Sequence, residues 1–262
     1  MITLRKLYRT LTKRFNLKLQ EKWDQCGIRC YSSWDKTINK VIVCLDCNLQ
    51  VVDEAIKGKY DVIISHHPIF TKSKNISTSS IDLQILKKLN RHKIDLISLH
   101  TCVDNNEFGL NHYLVKMLSL HNLTYVKNSE GSYYIGHFSK PFKFDDVLHV
   151  IYQTFKTLNI RYIQNTSTIN SIILCSGSGF SVLKPDLETF SKNSLIVTGD
   201  IKWHDWNLVN DLKINTLDIG HDVEKYFNNL ISDYLEDTLD ELSVKKIYPK
   251  IKILTLNYDS NL

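Results

Sequence analysis

Four short stretches of this 262-residue chain set histidine and carboxylate side by side: His66-His67, His100 to Asp104, Asp200 to His204, and His221 to Glu224. Imidazole and carboxylate donors without cysteine suit Zn, Mn, Fe or Co. Two such ions about 3.5–4 Å apart share a bridging carboxylate and can hold a water nucleophile between them. One stretch alone carries little weight. An isolated histidine pair reads better as one strand cap and one solvent-facing ring. Four stretches, each at the end of an apolar run, point to a single site.

The elements that must position them follow from the same runs. In DVIISHHPIF (61–70) three β-branched residues lead into the histidines, and Pro68 ends the extended segment. Runs without polar alternation suit strands covered on both faces. KVIVCLD (40–46), DVIISHHP (61–68), IDLISLHT (94–101), SIILCSGSGF (171–180), SLIVTGD (194–200) and INTLDIGHD (214–222) all read this way. In open α/β sheets a ligand site lies at the carboxyl ends of the strands. Successive side chains of an extended segment point to opposite sides, so His66 and His67 would serve two neighbouring metals, or one metal and its surroundings.

Helical spacing is expected over 3–19, 49–56, 81–93, 110–120, 145–158 (capped by Asp145) and 204–212. The strand–helix–strand unit over 40–68 implies a parallel pair. EKWDQCGI (21–28) reads as a loop, KSKNISTSS (72–80) as a mobile loop beside the site, GSYYIGHF (131–138) as a strand and IKILTL (251–256) as the last strand. No repeat of fixed period is visible.

Other residues carry paired readings. His100 either lines the site and moves protons or is a packed strand-end histidine. His204 and Asp200 face proton transfer and substrate, or Asp200 caps a helix. Trp23, with Asp24, borders a pocket or belongs to the core. The Ser176–Gly179 turn cradles a phosphate or is a tight structural turn. Cys44 and Cys47 form a C-x-x-C inside a strand-like run with no glycine turn, so buried free thiols fit better than a zinc ribbon.

A net charge of +5 with dispersed lysines gives no nucleic-acid patch, and 43% hydrophobic residues is ordinary for a globular chain. No secretory signal or membrane-length apolar run is visible, so a soluble, cytoplasmic protein without membrane partners is expected.

Taken in order, HHPIF, LHTCVDNNEFGLN, CSGSG, TGDIKWHD and DIGHDVEKYF resemble the Nif3-like family, whose members are also named GTP cyclohydrolase 1 type 2 homologs. EKWDQCGI resembles that family's Trp-Asp-x-x-Gly motif, with Gln25 and Cys26 where Asn-Val is usual. The resemblance spans residue 21 to about 227. It implies two α/β lobes with mixed sheets, one of residues 1–125 and 222–262, the other of 126–221, with the metal site between them. It also implies two divalent metal ions per chain on His66, His67, Asp104, His221 and Glu224, with Asp104 and Glu224 as bridges. Many members place that glutamate four residues after the histidine; here it comes three after, on the same helical face. The chain is too short for the middle domain of some members. A ring-shaped hexamer is implied as well. The family label implies a metal-dependent hydrolase acting on a nucleotide or phosphoester-like substrate, with His100 or His204 moving protons and Trp23 and Asp200 meeting substrate. The competing reading is a regulatory scaffold whose metals are structural and whose surface binds protein or nucleic acid.

Overall fold

The apolar runs form strands because their β-branched side chains pack on both faces of a pleated sheet. The computed structural model describes residues 1–69, 80–157 and 160–248. The first half comprises β1 (Ile2–Thr3), α1 (Leu4–Arg14), β2 (Gly27–Cys30), β3 (Thr37–Ile38), β4 (Lys40–Cys44), α2 (Leu49–Gly58), β5 (Val62–Ser65), α3 (Ile81–Arg91), β6 (Asp95–Ser98), α4 (Thr101–Asp104) and α5 (Leu110–Met117). The second comprises β7 (His121–Lys127), β8 (Ser132–Lys143), α6 (Phe144–Phe155), β9 (Arg161–Ile163), β10 (Thr168–Leu174), α7 (Phe180–Leu183), β11 (Ser194–Thr198), α8 (Trp203–Asp211), β12 (Asn215–Asp218), α9 (Phe227–Thr238) and β13 (Ser243–Ile247).

The fold is mixed α/β with mixed sheets. A five-stranded sheet has the order β13-β4-β5-β6-β2, and a six-stranded sheet the order β7-β8-β10-β11-β12-β9; β1 and β3 form a separate two-stranded ribbon. β4 and β5 pair in parallel, as the strand–helix–strand spacing predicts, and β5 pairs in parallel with β6. In the other sheet β10, β11 and β12 run parallel, with β8 and β9 antiparallel beside them. β7 crosses the 125/126 division and joins the six-stranded sheet.

Alternate residues feed separate cores. Val41, Val43, Val62 and Ile64 share one apolar cluster with Ile172, Leu174, Leu195 and Val197 of the other sheet and with Leu4, Leu7 and Leu11 of α1. Ile42, Cys44 and Ile63 pack instead against α2 and α3 through Val52, Ala55, Ile85 and Leu89. Ile173 and Ile196 pack with Phe180, Leu183 and Val209 on the outer face of the second sheet. Burying each such side chain contributes about 1.5–3 kcal/mol, so the shared cluster fixes the two sheets relative to each other.

Several expectations need correction. The first helix stops at Arg14 rather than 19, because Asn16 caps a separate 3-10 turn (Leu17–Leu19) by accepting the Lys18 amide. The helix predicted from 145 begins at Phe144, and Asp145 is not its cap. Phe144 is buried and its amide donates to Ser167 O at 3.0 Å, while Lys143 at the cap position makes no side-chain bond. Asp145 and Asp146 occupy the first turn, where their charge favours the helix dipole. The 21–28 loop ends in strand β2, which pairs with β6. β13 pairs in parallel with β4, a strand the sequence did not mark. The predicted strand 251–256 and residues 72–79 of the predicted mobile loop lie outside the described residues; Ser80 caps α3 by accepting from Leu83 N.

Candidate metal centre

All six central strand ends turn toward one region. β5 delivers His66 and His67, β6 and α4 deliver His100 and Asp104, and the 3-10 turn after β12 (His221–Tyr226) delivers His221 and Glu224. Glu224 sits three residues after His221, so both side chains leave one turn on the same side, with His221 Nε2 and Glu224 Oε2 2.9 Å apart. Gly177, three residues past β10, presses against the Glu224 carboxylate. Its φ is +57°, and a Cβ there would collide with that carboxylate. Only glycine meets both demands.

Each histidine is anchored through Nδ1. His66 is fully buried and its Nδ1 donates to the Leu99 carbonyl at 2.9 Å. A carbonyl only accepts, so the His66 Nε2 keeps its lone pair. His67 Nδ1 meets Asp46 Oδ1 at 2.7 Å, His221 Nδ1 meets Asp200 Oδ2 at 2.7 Å, and His100 Nδ1 meets Asp24 Oδ1 at 3.0 Å. Carboxylate–histidine pairs of this kind fix ring orientation and raise the basicity of the opposite nitrogen.

The opposite nitrogens converge on Glu224 Oε2. His67 Nε2 lies 3.1 Å from it and His66 Nε2 3.6 Å; the Nε2 atoms of His67 and His221 are 3.2 Å apart. Donor atoms of His66, Asp104 and Glu224 fall within 4.8 Å of one another, and so do those of His67, His221 and Glu224. The two groups share Glu224. His66, His67 and His100 form a third, overlapping group.

Two atoms give the test of whether these residues fit a cation. His66 Nε2 and Asp104 Oδ1 are buried and make no hydrogen bond, though they stand only 3.6 Å apart. Buried polar atoms without partners are costly, and a divalent cation would satisfy both. The electrostatics agree. Burial, reinforced by the Glu224 charge, raises the Asp104 carboxyl well above the usual carboxylate range. Burial alone would raise Glu224 too, but the imidazoles of His66, His221 and His67 outweigh it and hold the group well below its usual range. Burial pushes His66 down to about 4. Burial also pushes His67 down, yet its hydrogen bonds to Asp46 and Glu224 win and lift it to about 10. The hydrogen bond to Glu224 lifts His221 to about 9. His67 and His221 thus hold protons against the ionised Glu224 carboxylate, while His66 stays neutral with its Nε2 lone pair turned into the cluster.

Not every predicted residue joins the cluster. His100 does: its ring centroid lies 5.1 Å from that of His66 and 5.4 Å from that of His67. Trp23 is 61% exposed and meets the His100 ring edge-on at 5.6 Å. Asp200 is occupied by His221 and by Ser178 Oγ at 3.0 Å, and it caps no helix: the residue before α8 is Lys202, without a side-chain bond. His204 is not brought in. Its side chain is 68% exposed and its Nε2 faces Asp205 at 3.4 Å. All six cysteines are free, and Cys44 and Cys47 are buried.

A match to the family described as Duf34/NIF3 (NGG1p interacting factor 3) runs over residues 2–252. The chain belongs to this family. It is 31% identical over 232 residues to a protein of Ureaplasma parvum named GTP cyclohydrolase 1 type 2 homolog, an overlap of 86% of each chain. A second protein of that name, from Clostridium perfringens, is 28% identical over 212 residues, 78% of this chain and 80% of its own length. Among solved structures, a Bacillus cereus protein related to NIF3 superposes with a TM-score of 0.83 at 17% identity, over 98% of this chain and 99% of its own. That likeness concerns the fold.

Three contributors escaped the sequence reading in full or in part. Asp46 lies two residues past β4 just as His67 lies two past β5, so the strand-end rule applied there too. Asp24 was read only as a pocket or core residue. It is buried and accepts from Thr101 N at 3.0 Å and Gln25 N at 2.7 Å besides meeting His100, so it fixes the start of α4, which carries Asp104. Gly177 looked like an ordinary turn glycine, and nothing local in the sequence pointed to a carboxylate 47 positions away.

Proposed function

We propose that the chain is a dinuclear metal-dependent hydrolase acting on a nucleotide or phosphoester-like substrate. The observation that carries this reading is the pair of donor groups sharing Glu224, with two buried ligand atoms that lack partners. His66, Asp104 and Glu224 would hold one divalent cation, and His67, His221 and Glu224 the other. Zn, Mn, Fe and Co all suit this donor set. Cations bound there would supply positive charge and Lewis acidity to a C–N or P–O bond undergoing hydrolysis.

The residues do the rest. Asp46, Asp200 and the Leu99 carbonyl hold three rings so that Nε2 points inward. Asp24 does the same for His100, which would move a proton beside the cluster. His67 and His221 keep 25% and 37% side-chain exposure, so the site stays open to solvent, as a catalytic centre requires. Trp23 would border the entering substrate. Asp200 is a positioning partner of His221 in this reading, and His204 has no part. The cleft would lie between two lobes, with their first boundary near residue 120 so that β7 stays with β8. A closed hexamer with inward-facing sites belongs to the same reading, and light scattering at micromolar concentration checks it.

The relatives' name directs the first screen to GTP and related nucleotides. Metal analysis of purified protein, then a screen of nucleotides and phosphoesters with Zn, Mn, Fe and Co, tests the proposal. Fewer than two cations per chain, or no turnover with any metal, would count against it.

A further inference from the structure

The motif LHTCVDNNEFGLN ends in an asparagine that the proposed reaction does not use. Asn111 lies in the first turn of α5 and is buried. Its side-chain amide makes three hydrogen bonds, and they reach three separate segments. Nδ2 donates to Asp104 O at 3.2 Å and to Ser132 O at 3.3 Å. Oδ1 accepts from Ser176 N at 2.7 Å. The amide orientation is fixed by chemistry: a flip would face its oxygen toward two carbonyls and its NH2 toward an N–H. Ser132 Oγ donates to the same Asp104 carbonyl at 3.2 Å.

One of these segments carries a carboxylate of the candidate centre and another packs against the second. Asp104 is the first. Ser176 precedes Gly177, the residue on which the Glu224 carboxylate rests. Asp104 comes from the five-stranded sheet's side, Ser176 from the end of β10 in the six-stranded sheet. We infer that Asn111 is a positioning residue that sets the spacing of Asp104 and Glu224 by joining the two sheets at their strand ends. The inference rests on the metal-centre reading above. Asn111 does not touch the donors' side-chain atoms; it acts through main chain on both sides.

A purely structural role is the competing explanation, since any buried asparagine with three bonds stabilises its surroundings. Asn215 supplies the comparison. It is equally buried and fully bonded, to Asn165 N, Thr166 N, Lys192 O and Ser194 O among others, at the opposite end of β12. The experiment titrates metal-free wild type, Asn111→Ala and Asn215→Ala with Co2+ alone, reading heat and visible absorption, beside thermal melts. Both variants should melt earlier. Asn111→Ala should bind Co2+ at least tenfold more weakly and change the absorption band, while Asn215→Ala keeps wild-type affinity and spectrum. Wild-type affinity and spectrum in Asn111→Ala would overturn the inference and leave the centre standing. Absence of Co2+ binding by the wild type would overturn both. If Asn111→Ala does not fold, Ser132→Ala carries the test through the same carbonyl: a drop of about threefold supports the linkage, and unchanged affinity overturns it.

Discussion

At the amino end of β6, the fully buried Asp95 carboxylate meets Lys36 Nζ at 3.0 Å, Ser32 N at 2.6 Å and Ser32 Oγ at 3.1 Å. At the carboxyl ends of β5 and β6, a few residues away, His66 Nε2 and Asp104 Oδ1 are buried with no partner. Both ends therefore bury charge, but only one end finishes its own bonding. Buried polar groups are nearly always satisfied, so the contrast separates a structural charge from one that awaits a ligand. The same chain shows that it can complete a buried carboxylate when stability is the purpose.

The largest expected effect comes from removing the shared donor. Glu224→Ala takes one member from each donor group, so metal analysis should fall from two cations per chain to none. Asp104→Ala should remove most of one cation and spare the second, since only the His66 group contains it. Wild-type metal content in either variant would erase the contrast between the two ends. The amino end should behave oppositely. Lys36→Met leaves Asp95 without its cation and should cost about 3–5 kcal/mol in chemical denaturation. Metal content of the folded variant should not change; a loss there would mean that the two ends are coupled.

The contrast also explains what was legible in the sequence. Strand ends were readable because apolar runs stop at polar residues, VII at Ser65-His66 and LISL at His100, and four such endings pointed to one site. Residue type marked four strand ends rich in histidine and carboxylate, and the resemblance to the Nif3-like family implied the particular ligands at 66, 67, 104, 221 and 224. What remained hidden was long-range satisfaction. Nothing near Asp200 says that its partner is a ring 21 positions on, and nothing near Asp46 announces His67. Helix ends were misjudged where no side-chain cap marks them, as at α6, where Lys143 at the cap position makes no side-chain bond. The β13 segment, SVKKI, looks polar and was missed because its pairing with β4, not its own pattern, makes it a strand.

Acidity provides the next test of the carboxyl end. In cation-free protein His67 near 10 and His221 near 9 lie above an unfolded value of about 6.5. Both rings are then charged at neutral pH and pair with Glu224. Their contribution is complete below about pH 6.5 and is lost as pH rises through 9 to 10. Cation-free protein should therefore lose thermal stability between pH 7 and 10, while cation-loaded protein loses less. Cation uptake needs neutral rings, so it should release protons near pH 7 and tighten as pH rises. Calorimetry in buffers of different ionisation heat reads the released protons directly, and binding without proton release would contradict the protonated cluster.

The smallest effects should distinguish the carboxylates behind the rings. Asp46 and Asp200 make the same 2.7 Å contact, one to His67 Nδ1 and the other to His221 Nδ1. Their surroundings differ. The His67 pair is the more shielded of the two, whereas Asp200 is an exposed residue that also takes a bond from Ser178. Water can replace the Asp200 contact more readily, because an exposed charge pair is screened. Asp46→Asn should weaken cation binding by roughly 10–100-fold, the usual cost of losing such a partner. Asp200→Asn should cost less, on the order of tenfold or below, with the remaining amide still able to accept from the ring. Cobalt titrations of the two variants decide the matter. Equal losses would show that ring orientation, rather than shielding of the carboxylate, governs how strongly these anchors act.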